Sequence, residues 1–233
     1  MMRSSVTLPA RYQDDHLVTF RRALEPLLRP NLTVLDMGSG RRPAIRPADR
    51  PPGWTYVGLD ISEEELRMAP DGSYDEIRVS DVVDSVSELE DRFDLILSWQ
   101  VFEHVRPLDA ALDNLHRYLR EGGTLVAYLS GGKAHFALIN RVVPQRLGVM
   151  AMHRFLGRNP ESVFPAQYDR CTASQLREML APWSAVDIVP RFLGARYLRF
   201  ARPLQRAYLM YEDWAAGHDH GDLATHYLVV ARR

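Results

Sequence analysis

The sequence predicts an α/β fold built on a mostly parallel sheet, and three observations support this fold class. Short apolar runs rich in β-branched residues alternate with segments whose apolar residues recur at helical spacing. Glycine-rich sequence directly follows the first of these runs, and two further strand-like runs close the chain. Five strand-and-helix units and two terminal strands leave no room for a second large domain among 233 residues. We therefore expect a single domain, residues 1–233.

Seven strands are predicted, each as an apolar run bounded by turn-forming residues. The runs are residues 32–36, 54–60, 76–80, 93–98, 124–129, 185–189 and 225–231. Four helices are predicted between them, over residues 16–28, from Ser62, from Pro107 and from Thr172. Ser62 with Glu65 and Thr172 with Gln175 have the spacing of capping boxes, and Pro107 is expected at a first helical position.

The composition excludes several classes of protein. A net charge of −1 argues against a general nucleic-acid binder. The lone Cys171 forms neither an internal disulfide nor a thiolate metal cluster. The first residues lack the apolar core of a secretory signal, and no run approaches the roughly 18 apolar residues of a spanning helix. A cytoplasmic protein, at most peripheral to the inner face of a membrane, is expected.

Charge is unevenly distributed along this nearly neutral chain. Residues 60–94 hold thirteen acids against three arginines, whereas residues 131–160 and 191–206 hold basic residues and no acid. These basic residues are Lys133, Arg141, Arg146, Arg154, Arg158, Arg191, Arg196, Arg199, Arg202 and Arg206. Arginine interleaved with aromatic residues suits an anionic small substrate, a phosphorylated or lipid-linked glycan, or an anionic membrane surface. A lid over the active site, solvated helices and a dimer face remain open as alternatives.

A nucleotide-binding pattern follows the first two strands. Gly38 and Gly40 come after the first strand, and Asp60 ends the second, twenty residues after Gly40. Ligands of open α/β sheets bind outside the carboxyl ends of the strands, where glycines admit the ligand and amides at the next helix attract an anion. A carboxylate ending the second strand can accept hydrogen bonds from a ribose diol. The spacing therefore predicts that the ligand is a nucleoside with an anionic appendage, although Asp36 and Asp60 could merely cap helices.

A dinucleotide site requires a third glycine, in the pattern Gly-x-Gly-x-x-Gly. Here Pro43 stands at the third position. This departure counts against a nicotinamide or flavin cofactor, and a nicotinamide-dependent oxidoreductase is kept as the alternative.

The sequence resembles the class I S-adenosylmethionine-dependent methyltransferases. Five segments carry the resemblance, in the order of that family's strand-end motifs: residues 34–40, 58–60, 80–82, 93–105 and 119–125. The resemblance implies a Rossmann-like sheet of order 3-2-1-4-5-7-6, with the last strand antiparallel, helices on both faces and a helical insertion after the fifth strand. It places the cofactor-binding core at residues 32–130, a substrate lid at 131–170 and C-terminal helices and strands at 171–233.

The resemblance also implies S-adenosyl-L-methionine as the cofactor and a role for each matching residue. Asp36, Gly38, Ser39 and Gly40 would line its methionyl end, Asp60 would hold the ribose hydroxyls, and Ile61 would lie against the adenine. Asp81 would accept from the adenine amino group and Val82 would pack on the ring, unless Asp81 is a simple surface carboxylate. Ser98, Trp99 and Gln100 would face the sulfonium.

Two histidine motifs suggest chemistry with less support. His104 lies just beyond the fourth strand, where it could act as a general base near the transferred methyl group; the alternative is a packing or cofactor-side residue. His218, Asp219, His220, Asp222 and His226 are potential metal ligands, but they lie in a glycine-punctuated turn and include no pair at helical spacing. We expect a solvated loop there and no metal.

The sequence thus predicts a methyltransferase that acts on a small-molecule or lipid- or glycan-linked acceptor, with an anionic acceptor among the options. A non-catalytic, membrane-associated cofactor-binding module is the second alternative. The identity of the acceptor, the atom that is methylated and the oligomeric state are left open.

Overall fold

The computed structural model describes residues 6–134, 137 and 166–233, and its centre is a seven-stranded sheet. The strands are β1 (Thr33–Met37), β2 (Thr55–Asp60), β3 (Glu76–Val79), β4 (Phe93–Trp99), β5 (Leu119–Ser130), β6 (Ala185–Arg191) and β7 (His226–Arg232). Their order is β3-β2-β1-β4-β5-β7-β6, as predicted. The first five strands are parallel, and β7 runs antiparallel to both β5 and β6.

Five α-helices flank this sheet in the described part of the chain. They are α1 (His16–Leu24), α2 (Glu63–Arg67), α3 (Leu108–Tyr118), α4 (Ala173–Met179) and α5 (Arg202–Gly217). None of them is long and apolar enough to cross a membrane. Residues 135, 136 and 138–165, which carry most of the predicted lid and its helical insertion, lie outside the described residues.

The helix boundaries correct the sequence predictions in small ways. α1 ends at Leu24 and continues as a 3-10 turn over Glu25–Leu27, because Pro26 cannot donate the next backbone hydrogen bond. Ser62 caps α2 as predicted, accepting from the Glu65 amide at 3.2 Å. Pro107 is the residue before α3 rather than its first residue. The Thr172 hydroxyl does not cap α4 but donates to Gln175 Oε1 at 2.8 Å.

No α-helix connects β1 to β2, in agreement with the four helices predicted, so no helix N-terminus lies beside the glycines in this described segment. The connection consists of turns and one 3-10 turn, Pro47–Asp49. Four prolines lie in it, at positions 43, 47, 51 and 52. Proline removes backbone donors and disfavours helical geometry in the preceding residue, which explains why the helix does not form.

The core has two layers, one on each face of the sheet. α3 and α4 pack on one face through Leu112, Leu115 and Leu176, together with alternate strand residues such as Leu35. α1 packs on the other face through Phe20. Helices therefore cover both faces, as the sequence predicts.

The N-terminal segment ties α5 to the rest of the domain. Glu212 of α5 is fully buried and accepts hydrogen bonds from the Tyr12 hydroxyl and from the Gly194 amide at 2.6 Å. Arg11 lies 3.4 Å from the same carboxylate. The buried charge is thus paired and hydrogen-bonded, which fixes the position of α5.

Candidate cofactor site

A cavity of about 560 Å³ lies at the carboxyl ends of the parallel strands. The chain leaves β1 for β2 and β3 on one side and returns to β4 on the other, so strand order reverses beside β1. Ligands of open α/β sheets bind at such a reversal point. The cavity wall consists of Met37, Gly38, Leu59, Asp60, Ile61, Ser80, Asp81, Val82, Gln100, Val101, His104, Val105, Arg106 and Gln167.

The first wall is the turn that follows β1, where glycine is required at position 38. Gly38 has a φ of +70°, and a β-carbon there would lie 2.4 Å from a methyl group of Val101. Its amide donates to the carbonyl of Leu59 at 2.7 Å, which joins the ends of β1 and β2. Backbone therefore forms the cavity surface at this point, so a ligand can approach it closely.

Two tyrosines, Tyr74 and Tyr56, hold this turn in place through hydrogen bonds. The Tyr74 hydroxyl donates to the carbonyl of Gly40 at 2.9 Å. Asp36 Oδ2 accepts from the Tyr56 hydroxyl and from the Ala44 amide, both at 2.7 Å. Burial raises the pKa of Asp36 to about 6, while both hydrogen bonds oppose that shift. Asp36 therefore holds the far end of the turn and does not line the cavity.

Asp60 supplies the carboxylate of the second wall. It is partly exposed at the end of β2, and its Oδ1 accepts from the Ser62 amide at 2.9 Å. Burial raises the pKa of Asp60, and hydrogen bonds from the Ser62 and Gly40 amides counteract this effect. The neighbouring Ile61 is 59% exposed, so it offers an apolar surface to a ligand at the cavity mouth.

Asp81 and Val82 form the third wall, after β3. Asp81 Oδ1 accepts from the Val83 amide at 3.2 Å, which fixes the carboxylate. Val82 is buried, and its carbonyl accepts from Asn114 Nδ2 at 2.8 Å. This wall presents one carboxylate next to an apolar side chain.

Ser98, Trp99 and Gln100, which were predicted to face the sulfonium, have different surroundings in the structure. Gln100 is exposed, lines the cavity and has a φ of +57°. Ser98 is buried, and its hydroxyl has no hydrogen-bond partner among the described residues. The Trp99 ring points to the opposite face of the sheet, with its centroid 5.0 Å from that of Phe20 and 5.2 Å from that of Tyr128.

A 3-10 turn, Phe102–His104, closes the fourth wall. His104 lines the cavity, and its Nδ1 is buried without a hydrogen-bond partner in the described part of the chain. Glu103 beside it is 4% exposed. Its Oε1 accepts from the Ser130 amide at 3.3 Å, and its carbonyl accepts from the Gln167 amide at 2.7 Å. Burial raises the pKa of Glu103, and the neighbouring His104 counteracts this shift.

The structure thus brings seven of the twelve predicted site residues to one cavity. Those seven are Gly38, Asp60, Ile61, Asp81, Val82, Gln100 and His104. The other five, Asp36, Ser39, Gly40, Ser98 and Trp99, lie behind or beside its wall. Sequence reasoning missed Arg106 and Gln167. Arg106 follows the fourth strand-end motif, but no sequence signal distinguishes Gln167, which reaches the site through Glu103.

The histidine-rich turn before β7 is engaged in packing in the structure. Asp222 accepts from the Ser174 amide and hydroxyl, both at 2.7 Å, and so caps α4. The rings of His218 and His220 lie 5.7 and 4.7 Å from that of Trp214. No group of three potential ligands suited to a metal ion occurs among the described residues.

Comparison with known proteins shows which family the chain belongs to. The family model of a methyltransferase domain matches residues 10–135, more than half of the chain. The chain belongs to the S-adenosylmethionine-dependent methyltransferases. Within this family, a curated relative is the ubiquinone biosynthesis O-methyltransferase of Agrobacterium fabrum, which is 28% identical over 165 residues. That match covers 69% of this chain, which spans only 61% of the relative's length.

Methyltransferases of known structure share the fold of this chain, although their sequence identity to it is low. One from Archaeoglobus fulgidus, described as S-adenosylmethionine-dependent, is 15% identical, with a TM-score of 0.55 and 96% of each chain covered. Phosphoethanolamine N-methyltransferase 2 of Haemonchus contortus, solved with S-adenosyl-L-methionine, is 14% identical, with a TM-score of 0.57. That match covers 93% of this chain and 52% of the other. Family membership and fold favour this cofactor over the nicotinamide alternative.

Proposed function

We propose that this methyltransferase transfers a methyl group from S-adenosylmethionine to an oxygen or nitrogen atom of a small-molecule or lipid- or glycan-linked acceptor. The observation that carries the proposal is that Asp60, Asp81 and His104 line one cavity. The cofactor would supply a methyl group bonded to a positively charged sulfonium sulfur. Once the methyl group is transferred, that sulfur is a neutral thioether and is the leaving group.

The chain's own residues bind and orient the cofactor. Asp60 would accept hydrogen bonds from the ribose hydroxyls, and Asp81 would accept one from the adenine amino group. Ile61 and Val82 would pack against the adenine, and Gln100 would lie toward the sulfonium. Gly38 fits this role because it lines the cavity without a side chain of its own. Among the other predicted residues, Gly40 supports the Asp60 carboxylate through its backbone amide.

His104 removes the proton that the acceptor loses. Methyl transfer breaks the carbon–sulfur bond and forms a carbon–oxygen or carbon–nitrogen bond, so an acceptor that arrives protonated must release one proton. His104 lines the cavity, so its imidazole ring can take this proton. The buried Glu103, next to His104 in the chain, is fixed by hydrogen bonds from the Ser130 and Gln167 amides.

A methyl-transfer assay with two histidine variants tests this proposal. Radiolabelled S-adenosylmethionine is incubated with pools of phenols, carboxylic acids, amines and lipid extracts. For the acceptor found, His104→Gln lowers kcat about 100-fold, the usual contribution of a general base, and leaves the KM for the cofactor within about twofold. His116→Gln, on α3 against Trp183, is the matched control and keeps the wild-type rate.

Two results contradict the proposal at different levels. Unchanged kcat in His104→Gln removes His104 as the base but leaves methyl transfer intact. If no pool yields a methylated product while S-adenosylhomocysteine binds, the non-catalytic alternative replaces the proposed activity.

A further inference from the structure

The outer surface of α5 and the turn before it is both apolar and basic. We call this surface the basic apolar face. Phe200 is 81% exposed, Met210 73%, Leu204 49% and Trp214 47%. Arg199, Arg202 and Arg206 are exposed among them. Large apolar side chains that are clustered and exposed to this degree indicate an interaction site.

Helix geometry shows that these apolar residues do not belong to the domain core. The inward side of α5 is formed by Gln205, Leu209 and Glu212, all buried. Met210 and Trp214 are four residues apart and project from the opposite side. A surface helix usually carries polar residues on that side. α5 is therefore apolar on two sides: the described residues cover the inner one, and on the outer one the rings of His218 and His220 contact Trp214 while Met210 stays exposed.

The arginines of this face lack acidic partners in the described part of the chain. Arg199, Arg202 and Arg206 make no ion pair there, and the sequence holds no acid between residues 191 and 211. Elsewhere arginines do pair with acids, as Arg67 does with Glu63 at 2.5 Å. Asp213, the exposed acid of α5, pairs with Arg11 at 2.6 Å. The face therefore keeps a net positive charge that an anionic partner would complement.

The basic apolar face lies at the same edge of the sheet as the cofactor cavity. β6 ends at Arg191, which pairs with His226, and His226 pairs with Ser130 at the carboxyl end of β5. The 3-10 turn Gly194–Leu198 and α5 follow directly from that end. Because Tyr12 and Gly194 hold Glu212, α5 has a fixed position at this edge.

We propose that the basic apolar face docks this methyltransferase on an anionic lipid surface. Phe200, Met210 and Trp214 enter the interfacial layer, and the three arginines lie at the level of the anionic headgroups. The face is a convex helix with protruding side chains, which suits insertion into an interface. A second copy packed symmetrically on it would oppose arginine to arginine. The inference rests on the proposed function in one respect: a lipid-linked acceptor would reach the cavity from the membrane on which the protein is docked.

Vesicle co-sedimentation of the full chain tests this docking. The probes are phosphatidylcholine vesicles with or without 30 mol% phosphatidylglycerol, roughly the amount that gives a negative surface potential. The wild-type protein sediments with the anionic vesicles and remains mostly free with the neutral ones. Binding weakens as salt is raised from 50 to 300 mM, values chosen to shorten the Debye length from roughly 14 to 6 Å.

Two variants and two controls separate the apolar and basic contributions. Phe200→Ser with Met210→Ser lowers the partition coefficient on anionic vesicles about tenfold or more. Arg202→Gln with Arg206→Gln lowers it about 25-fold, at roughly fivefold for each arginine. Met68→Ser and Arg67→Gln, at exposed residues at the end of α2, bind vesicles like the wild type. All variants keep the wild-type affinity for S-adenosylhomocysteine, because none of these residues lines the cavity.

Several outcomes overturn the inference. They are absence of binding to anionic vesicles, equal binding to neutral ones, or variants that bind like the wild type. A dimer in light scattering that Met210→Ser dissociates would assign the face to a second copy, and capture of an acidic protein without vesicle binding would assign it to that protein. Each of these leaves the proposed methyl transfer untouched, because that activity is measured separately with cofactor and acceptor.

Discussion

Asp36 shows how a residue can match a cofactor motif and yet act one layer below the cofactor. Its carboxylate binds the Tyr56 hydroxyl and the Ala44 amide instead of facing the cavity. The motif correctly predicts an acid at the end of β1. The direction of its side chain depends on Tyr56, a partner in the neighbouring strand that no pattern in the sequence identifies.

Asp36 should make the stability of the fold depend on pH. Its pKa of about 6 in the folded protein exceeds the ordinary value of 3.8, so between these values the folded chain holds a proton that the unfolded chain has lost. Raising the pH from 4 to 6 therefore lowers the free energy of unfolding, by about 2–3 kcal/mol from this group. Above about pH 7 the loss is complete. Asp36→Asn has no such titration.

Urea unfolding of the wild type and of Asp36→Asn at pH 4.5 and 7 measures this effect. The difference in unfolding free energy should shift in favour of the variant by about 2 kcal/mol between the two pH values. Asp71→Asn, an exposed aspartate in the turn before β3, is the control and should show no such shift. A difference between Asp36→Asn and the wild type that stays constant with pH would contradict this interpretation.

Asp60 makes the most specific residue-level prediction for the cofactor. Replacing it by alanine removes charged hydrogen bonds to the ribose, which should weaken binding of S-adenosylhomocysteine by about 1–3 kcal/mol. Calorimetry measures the affinity, and Asp71→Ala should bind like the wild type. Equal affinities for Asp60→Ala and the wild type would exclude Asp60 from the binding site.

At the scale of elements, the connection between β1 and β2 shows most clearly what a motif leaves open. Its glycines and Asp60 were located because strand-end motifs have fixed spacing. The course of the chain between them is set by the four prolines, which exclude a helix there. Trp99 shows a second limit, because side-chain alternation along β4 turns its ring toward Phe20 and not toward the cavity.

Two glycine variants separate close packing from backbone conformation. Gly38 and Gly72 have nearly equal φ angles, +70° and +75°, but only Gly38 has a neighbour that blocks a β-carbon. Gly72→Ala should cost about 1–2 kcal/mol of stability from its backbone alone. Gly38→Ala should cost at least about 1 kcal/mol more, because Val101 must move.

Thermal unfolding with and without S-adenosylhomocysteine tests this pair. Gly38→Ala should also weaken cofactor binding, and adding Val101→Ala should restore part of its lost stability. Equal stability of the two glycine variants would show that contact with Val101 does not restrict position 38.

For the whole molecule, the seven strands form one continuous sheet. β7 pairs with β5 over residues 124–130 and with β6 along its full length, so the C-terminal part is hydrogen-bonded to the core. We therefore expect one cooperative thermal transition. It should shift upward with S-adenosylhomocysteine, because the ligand binds the folded state. Two calorimetric transitions, only one of which responds to the ligand, would contradict a single domain.

The overall topology was the most predictable property, because the alternation of strands and helices and the strand-end motifs both constrain it. The distribution of charge was predictable in part. The acid-free stretch at 191–206 is visible in the sequence. Its position at the edge of the sheet that also holds the cavity depends on how β6, β7 and β5 pair. The cavity residue Gln167 comes from far along the chain and could be found only in the folded structure.

Titration calorimetry of the full chain with S-adenosylhomocysteine and, separately, with NADH tests the central claim most directly. We predict one molecule of S-adenosylhomocysteine bound per chain, with weaker binding in Asp60→Ala and no binding of NADH. Binding of NADH without binding of S-adenosylhomocysteine would contradict the assignment of this cavity to a methyltransferase cofactor.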